Sequence, residues 1–143
     1  MWKLKTFDEL STHELFAIYK VRTDIFVVEQ NCAYPEVDDK DLTALHLFLE
    51  NGQAVSAYCR IIPNNELVQI GRVLVSPENR KKGLAKELVT KALSICQKTF
   101  PNQPIYIQAQ AYLKSFYASF GFQPSSQEYL EDGIPHIDMK LKK

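Results

Sequence analysis

Val75-Ser-Pro-Glu-Asn-Arg-Lys-Lys-Gly-Leu-Ala-Lys-Glu-Leu-Val89 joins two kinds of periodicity. Upstream of it, Glu66 to Val75 reads as a strand, closed by Pro77 because a proline cannot donate to a ladder. From Lys82 onward the period becomes helical. Leu84, Ala85, Leu88, Val89, Ala92, Leu93, Ile95 and Cys96 form one apolar stripe, with Lys86, Glu87, Lys91 and Gln97 outside it. Pro101 and Pro104 stop that helix. Arg80, Lys81, Lys82 and Gly83 therefore sit between a strand end and a helix start. There the first helical N–H groups lack partners and the peptide dipoles add about half a positive charge. A glycine lets a ligand approach the main chain. The junction reads as a cradle for a phosphate or pyrophosphate. A solvated basic helix start is the plainer alternative, but cations in a first helical turn cost about 0.3–1 kcal/mol each, and three of them need a compensating anion.

Working outward, Trp2 to Phe7 alternates as a short strand, and Leu15, Phe16, Ile18, Tyr19, Val21, Arg22, Ile25 and Phe26 recur at helical spacing. Val28 to Asp41 is polar, acidic and interrupted by Pro35, which predicts a long loop of the kind that carries function. Ala44–Glu50, Asn51-Gly52 and Ala54–Ile62 form a hairpin pattern, and Glu66–Val75 extends it to a meander. Beyond the basic junction and its helix come a strand over Ile105–Ala109, a helix over Tyr112–Phe120 ended by Gly121, a strand region opened by Gly121–Pro124, and a tail, Gly133 to Leu141, that fits an edge strand. The order β-α-βββ-α-β-α-ββ predicts an α/β arrangement around one sheet, in a single domain over residues 1–143.

Lys plus Arg and Asp plus Glu are 17 each among 143 residues, so no net charge draws the molecule to nucleic acid or an anionic membrane. Cys32, Cys59 and Cys96 show no metal spacing, and Cys59 and Cys96, in apolar runs, read as buried thiols. A metal site built from His46, His136, Asp38 and Asp41 has no recognised ligand spacing either. With no signal-peptide core and no membrane-length apolar run, the cytoplasm is the expected address.

The phosphate-loop pattern of nucleotide hydrolases is absent, as is the dinucleotide fingerprint. What stands after Val73-Leu-Val-Ser-Pro77 is Arg80-x-x-Gly83-x-Ala85, which resembles the acyl-CoA pyrophosphate loop of the GCN5-related N-acetyltransferase (GNAT) family. Downstream, Phe116-Tyr-Ala-Ser-Phe-Gly-Phe122 is similar to that family's Y-x-x-x-G-F segment. Arg22-Thr-Asp-Ile-Phe-Val-Val-Glu-Gln-Asn-Cys-Ala-Tyr-Pro-Glu-Val-Asp38 and Glu131-Asp-Gly-Ile-Pro-His-Ile-Asp-Met139 resemble segments of its ElaA-like branch. The resemblance implies a GNAT-type mixed, mainly antiparallel sheet flanked by helices, with two splayed central parallel strands, Gln69–Val75 and Ile105–Ala109. Between them the pantetheine arm of acetyl-CoA would meet the main chain of Val73 and Val75, while Arg80, Lys81, Lys82, Gly83, Leu84 and Ala85 hold the diphosphate. Where the family often has Asn and Ala, this chain has Gln110 and Leu113, so Gln110 is a less direct match for the CoA arm.

By the same resemblance Tyr117 is the catalytic candidate at the thiol leaving group. A phenol near pKa 10 does not readily protonate a thiolate near 8.5, the step being uphill by about 2 kcal/mol, so a hydrogen bond that strengthens as the thiolate develops is the expected role. On the acceptor side an ammonium must lose a proton. Glu29, His46 and His136 are the options for a base. A half-buried Glu29 would have a raised pKa; alternatively it pairs with Arg22 or Arg72. His46 and His136 alternate within strands and are equally readable as core histidines. Glu29, Gln30, Tyr34, Asp38 and His136 are expected to meet the acceptor, and the acidic loop of Glu36, Asp38, Asp39 and Asp41 to attract a cationic one. Cys32 has no evident base, which favours direct attack in a ternary complex over a covalent acyl-enzyme. The expected partners are acyl-CoA and an amine, without metal, nucleic acid or membrane, and homodimerisation stays open. The rival reading is a non-catalytic acyl-CoA sensor or interaction module.

Overall fold

The computed structural model describes residues 1–141. Strand β1 (Trp2–Thr6) is followed by helix α1 (Thr12–Thr23), whose start is set by a capping box. Ser11 Oγ accepts from the Glu14 N–H at 3.0 Å, and Glu14 Oε1 accepts from the Ser11 N–H at 2.8 Å. The helix runs on into a π-helical turn, Asp24–Glu29, a form that tends to occur at functional sites. The meander is β2 (Leu45–Asn51), β3 (Ala54–Pro63) and β4 (Val68–Val75). Helix α2 covers Leu84–Thr99, strand β5 Ile105–Gln110, and helix α3 Lys114–Ala118. The chain then forms β6 (Phe122–Pro124), β7 (Tyr129–Glu131) and β8 (Ile134–Leu141).

The strands form one sheet in the order β1-β2-β3-β4-β5-β8-β6, with β7 also on β8. Among the described residues only β4 and β5 pair in parallel; every other ladder is antiparallel. Two sequence expectations change here. The tail is not an edge strand: β8 lies between β5 and β6. Its Pro135 is tolerated because β5 pairs only with His136–Lys140, and Pro135 faces the short β7. The segment read as a helix over Tyr112–Phe120 is a 3-10 turn (Ala111–Leu113) plus the five residues of α3.

Period-two alternation assigns the two faces. Cys59, Ile61, Val68, Ile70, Ile107 and Met139 meet Leu88, Val89, Ala92 and Cys96 of α2 on one face, with Tyr117 of α3. On the other, Phe48, Val55, Tyr58 and Leu74 meet Ile18 and Ile25. That second cluster draws only on β2, β3 and β4 among the strands. On β5 and β8 that face is mostly polar, with Gln108, Gln110, His136, Asp138 and Lys140 beside Tyr106 and Ile134. No helix among the described residues is long and apolar enough to cross a membrane.

Candidate functional site

The parallel pair β4–β5 holds register only over Val68–Ile70 against Ile105–Ile107. Beyond that the strands part. β4 stays with β3 and β5 stays with β8, so the edges that face each other from Gly71 and Gln108 onward have no ladder. A bulge contributes: Tyr58 opposes Leu74 while Arg60 opposes Gly71, and Arg72 takes φ +51°. A cavity of about 720 Å³ occupies the gap. The π-helical turn supplies Glu29 and Gln30 to its wall, β4 supplies Val73 and Val75, and α3 supplies Tyr117. Unladdered main-chain groups of this kind need partners, and an amide-bearing arm laid between the strands can provide them.

Arg80 and Ala85 line the same cavity, with Lys81, Lys82, Gly83 and Leu84 beside them at the start of α2. Gly83 is the N-cap at φ +79°, and no side chain caps the helix. The Gly83 conformation is one that only glycine adopts without strain, and the uncapped first turn stands beside two exposed lysines. Arg80 itself is engaged. Its Nη1 and Nη2 donate to Glu29 at 2.7 and 2.8 Å, and its Nε donates to the Val75 carbonyl at 3.0 Å.

Tyr117 is only 4 % exposed, lines the cavity, and its hydroxyl has no hydrogen-bond partner among the described residues. Burial pushes its phenol pKa up, so it remains a donor at any working pH.

The base candidates separate clearly. His46 is fully buried away from the cavity: Nδ1 lies 2.7 Å from the Tyr58 hydroxyl and Nε2 2.9 Å from the Asp41 carbonyl. Burial holds its pKa down. It is a core histidine, and the catalytic expectation for it is withdrawn. Glu29 is 44 % exposed rather than half-buried in apolar surroundings, and its partner is Arg80, not Arg22 or Arg72. The Arg80 hydrogen bonds hold its carboxyl below the usual range, the opposite of the expected rise. His136 lines the cavity. Its Nδ1–H donates to the Ile134 carbonyl at 2.7 Å, which leaves the Nε2 lone pair 3.7 Å from Glu131, and Tyr129 stacks on its ring.

The loop read as an acidic attractant is instead charge-balanced. Glu36 and Asp41 are buried against Arg22, at 2.7 Å each. Arg60 binds Asp38 at 2.6 Å and Asp41 at 3.0 Å, and Arg72 binds Glu36 at 2.8 Å. Burial alone would raise the Asp41 carboxyl, but the Arg22 and Arg60 guanidinium groups outweigh it and hold it low. Asp39 is exposed and outside this network. Gln30 and Gln110 exchange amide hydrogen bonds at 3.2 and 3.4 Å, joining the π-helical turn to β5. Cys32 Sγ donates to the Asp132 carbonyl at 3.3 Å rather than engaging a base. Tyr34 lines the cavity, donates to Glu36 and lies under Arg72. Sequence reasoning missed Lys40, Arg60 and Arg72, all of which line the cavity. Arginines at positions 60 and 72 of otherwise apolar strands were the available signal.

A family model described as "Acetyltransferase (GNAT) domain" matches residues 20–143. Protein ElaA of Escherichia coli K12 is 42% identical over 143 residues, covering 96% of this chain and 94% of ElaA. A UPF0039 protein of Schizosaccharomyces pombe is 45% identical over 141 residues, with the same coverage of 96% and 94%. The crystal structure of E. coli ElaA superposes with TM-score 0.95 at 41% identity, covering 99% of each chain. That of an acyl-CoA N-acyltransferase from Pseudomonas aeruginosa also reaches TM-score 0.95, at 37% identity and 99% of each chain.

Proposed function

Because this chain belongs to the GNAT acetyltransferase-domain family, in its ElaA-like branch, we propose that it transfers an acyl group, most simply acetyl, from CoA directly to an amine held in the same cavity. The observation that carries the reading is the parting of β4 from β5 around a cavity that Tyr117 also lines, its hydroxyl without a partner among the described residues. The residues fit an acyl-CoA arm. Val73 and Val75 offer main-chain groups on the open edge of β4, and the uncapped start of α2 offers N–H donors flanked by Lys81 and Lys82.

A bound acyl-CoA supplies the thioester carbon that is attacked. His136 Nε2, with its lone pair fixed by the Nδ1–H bond to Ile134, takes the first proton from the acceptor ammonium, and Glu131 beside it steadies the imidazolium that results. The amine nitrogen then bonds to the acyl carbon as the carbon–sulfur bond breaks. Tyr117 donates a hydrogen bond to the departing sulfur, where the amine's second proton ends, and His136 returns the first to water. Cys32, bonded to a main-chain carbonyl, takes no part as a nucleophile.

The test is a thermal shift with acetyl-CoA, ATP and NAD, followed by thiol release with an amine panel. At one hundred times Kd acetyl-CoA stabilises by about 2.7 kcal/mol, and the other two do not. Tyr117→Phe keeps this shift and lowers kcat by about 10²-fold. Full turnover in that variant removes the catalytic role of Tyr117, and a shift without thiol release against any amine identifies a sensor instead of an enzyme.

A further inference from the structure

The cavity carries charged groups that the acyl-CoA reading uses only in part. Arg60 of β3 and Arg72 of β4 line it with Asp38 and Lys40. Glu131, Asp132 and His136 of the β7–β8 hairpin line it from across β5. The acids of the loop consume most of the guanidinium donors, yet not all. Arg60 is 3 % exposed, with Nη1 and Nη2 bound to Asp38 and Asp41, and its Nε has no partner. Arg72 spends Nε on the Glu36 carboxylate and Nη2 on the Glu36 carbonyl, which leaves Nη1 without a partner among the described residues. Lys40 is exposed and makes no ion pair among the described residues. Arg60 Nε is closed off from solvent, so the spare guanidinium donor open to the cavity is Arg72 Nη1. An acceptor carrying only an amine would offer it no anionic partner.

We infer that the amine acceptor also carries a carboxylate, which takes the spare Nη1 donor of Arg72 with the charge of Lys40, while its ammonium lies toward Glu131, Asp132 and His136. The inference rests on the acyltransfer reading and narrows its substrate to amino-carboxylates. β4 and β8 are separated by β5, at least about 10 Å from ordinary strand spacing and more where β4 parts from β5, so the two sides suit an amine and a carboxylate several bonds apart. The reaction balances as before: an N–acyl bond replaces the thioester bond, one ammonium proton leaves through His136, and the other stays on the CoA sulfur. The carboxylate is unchanged throughout.

The experiment measures thiol release from acetyl-CoA with matched acceptors that differ only by the carboxylate: β-alanine with ethylamine, γ-aminobutyrate with propylamine, and ε-aminocaproate with pentylamine. In at least one pair the carboxylate-bearing member has kcat/KM higher by about tenfold or more, as expected for charge-assisted hydrogen bonds. In Lys40→Gln and in Arg72→Gln that ratio falls toward one; Lys40 is exposed, so its variant tests the idea without disturbing the core. Equal or better use of the plain amines overturns the inference, as does turnover of no amino-carboxylate. An acetyl-CoA thermal shift run in parallel separates the two readings: its presence with the wrong preference sinks only the carboxylate, and its absence sinks acyl transfer itself.

Discussion

At the scale of single residues, His136 and His46 show how the same pattern acquires opposite roles. Both alternate within a strand, yet the Tyr58 hydroxyl and the Asp41 carbonyl close around His46, whereas only Nδ1 of His136 is occupied, by Ile134. Alternation tells which residues share a face, not whether a helix or a cavity covers it, so the distinction was invisible before the fold was known. His136→Gln removes the Nε2 lone pair that takes the proton and lowers kcat by about 10²-fold, as thiol release with any active acceptor will show, while the acetyl-CoA thermal shift stays. Unchanged turnover assigns the proton to another group.

At the scale of elements, the basic turn before α2 and the π-helical turn are coupled through Arg80. That pair is largely solvent-exposed, and such pairs contribute about 0.2–1 kcal/mol. In the proposed complex Arg80 turns from Glu29 toward the diphosphate, and its Nε leaves the Val75 carbonyl to an incoming amide. Glu29→Gln removes the competing carboxylate and one negative charge near the ligand. Its acetyl-CoA Kd, measured by calorimetry, falls by a factor of about 2–5; weaker binding means that Glu29 instead orients Arg80 for the ligand. Much of this region was legible in the sequence because its signals are local. Pro77 ends β4, Gly83 starts α2, and the apolar stripe of α2 spans only a few turns. The Glu29 partner was not legible, since a link across 51 positions depends on how α1 packs on the meander. The hairpin of β7 and β8 was half legible: its tail alternates, but the insertion of β8 between β5 and β6 is a matter of topology.

At the scale of the whole molecule, zero net charge conceals an internal arrangement of three arginines and three acids. Arg22, Arg60 and Arg72 come from α1, β3 and β4, and Glu36, Asp38 and Asp41 from the loop that follows the π-helical turn. Composition alone made that loop look acidic and free, because the neutralising arginines are scattered through apolar segments. The network fastens the loop over the sheet and so forms part of the cavity wall. Arg22 is its centre, fully buried, with Tyr19 and Tyr58 against its guanidinium. Arg22→Met leaves Glu36 and Asp41 buried without that partner and lowers unfolding free energy by about 3–5 kcal/mol. The pH dependence discriminates further. The Asp41 carboxyl titrates below its ordinary value in the folded protein, so its contribution is present above the unfolded pKa and disappears as pH falls through the folded one. Wild-type stability in urea therefore rises with pH across the acid range up to about 4. In Arg22→Met, burial acts on Asp41 with less opposition, its folded pKa moves up, and the rise flattens. A variant whose stability climbs with pH as steeply as the wild type would show that Arg22 is not what holds Asp41 ionised.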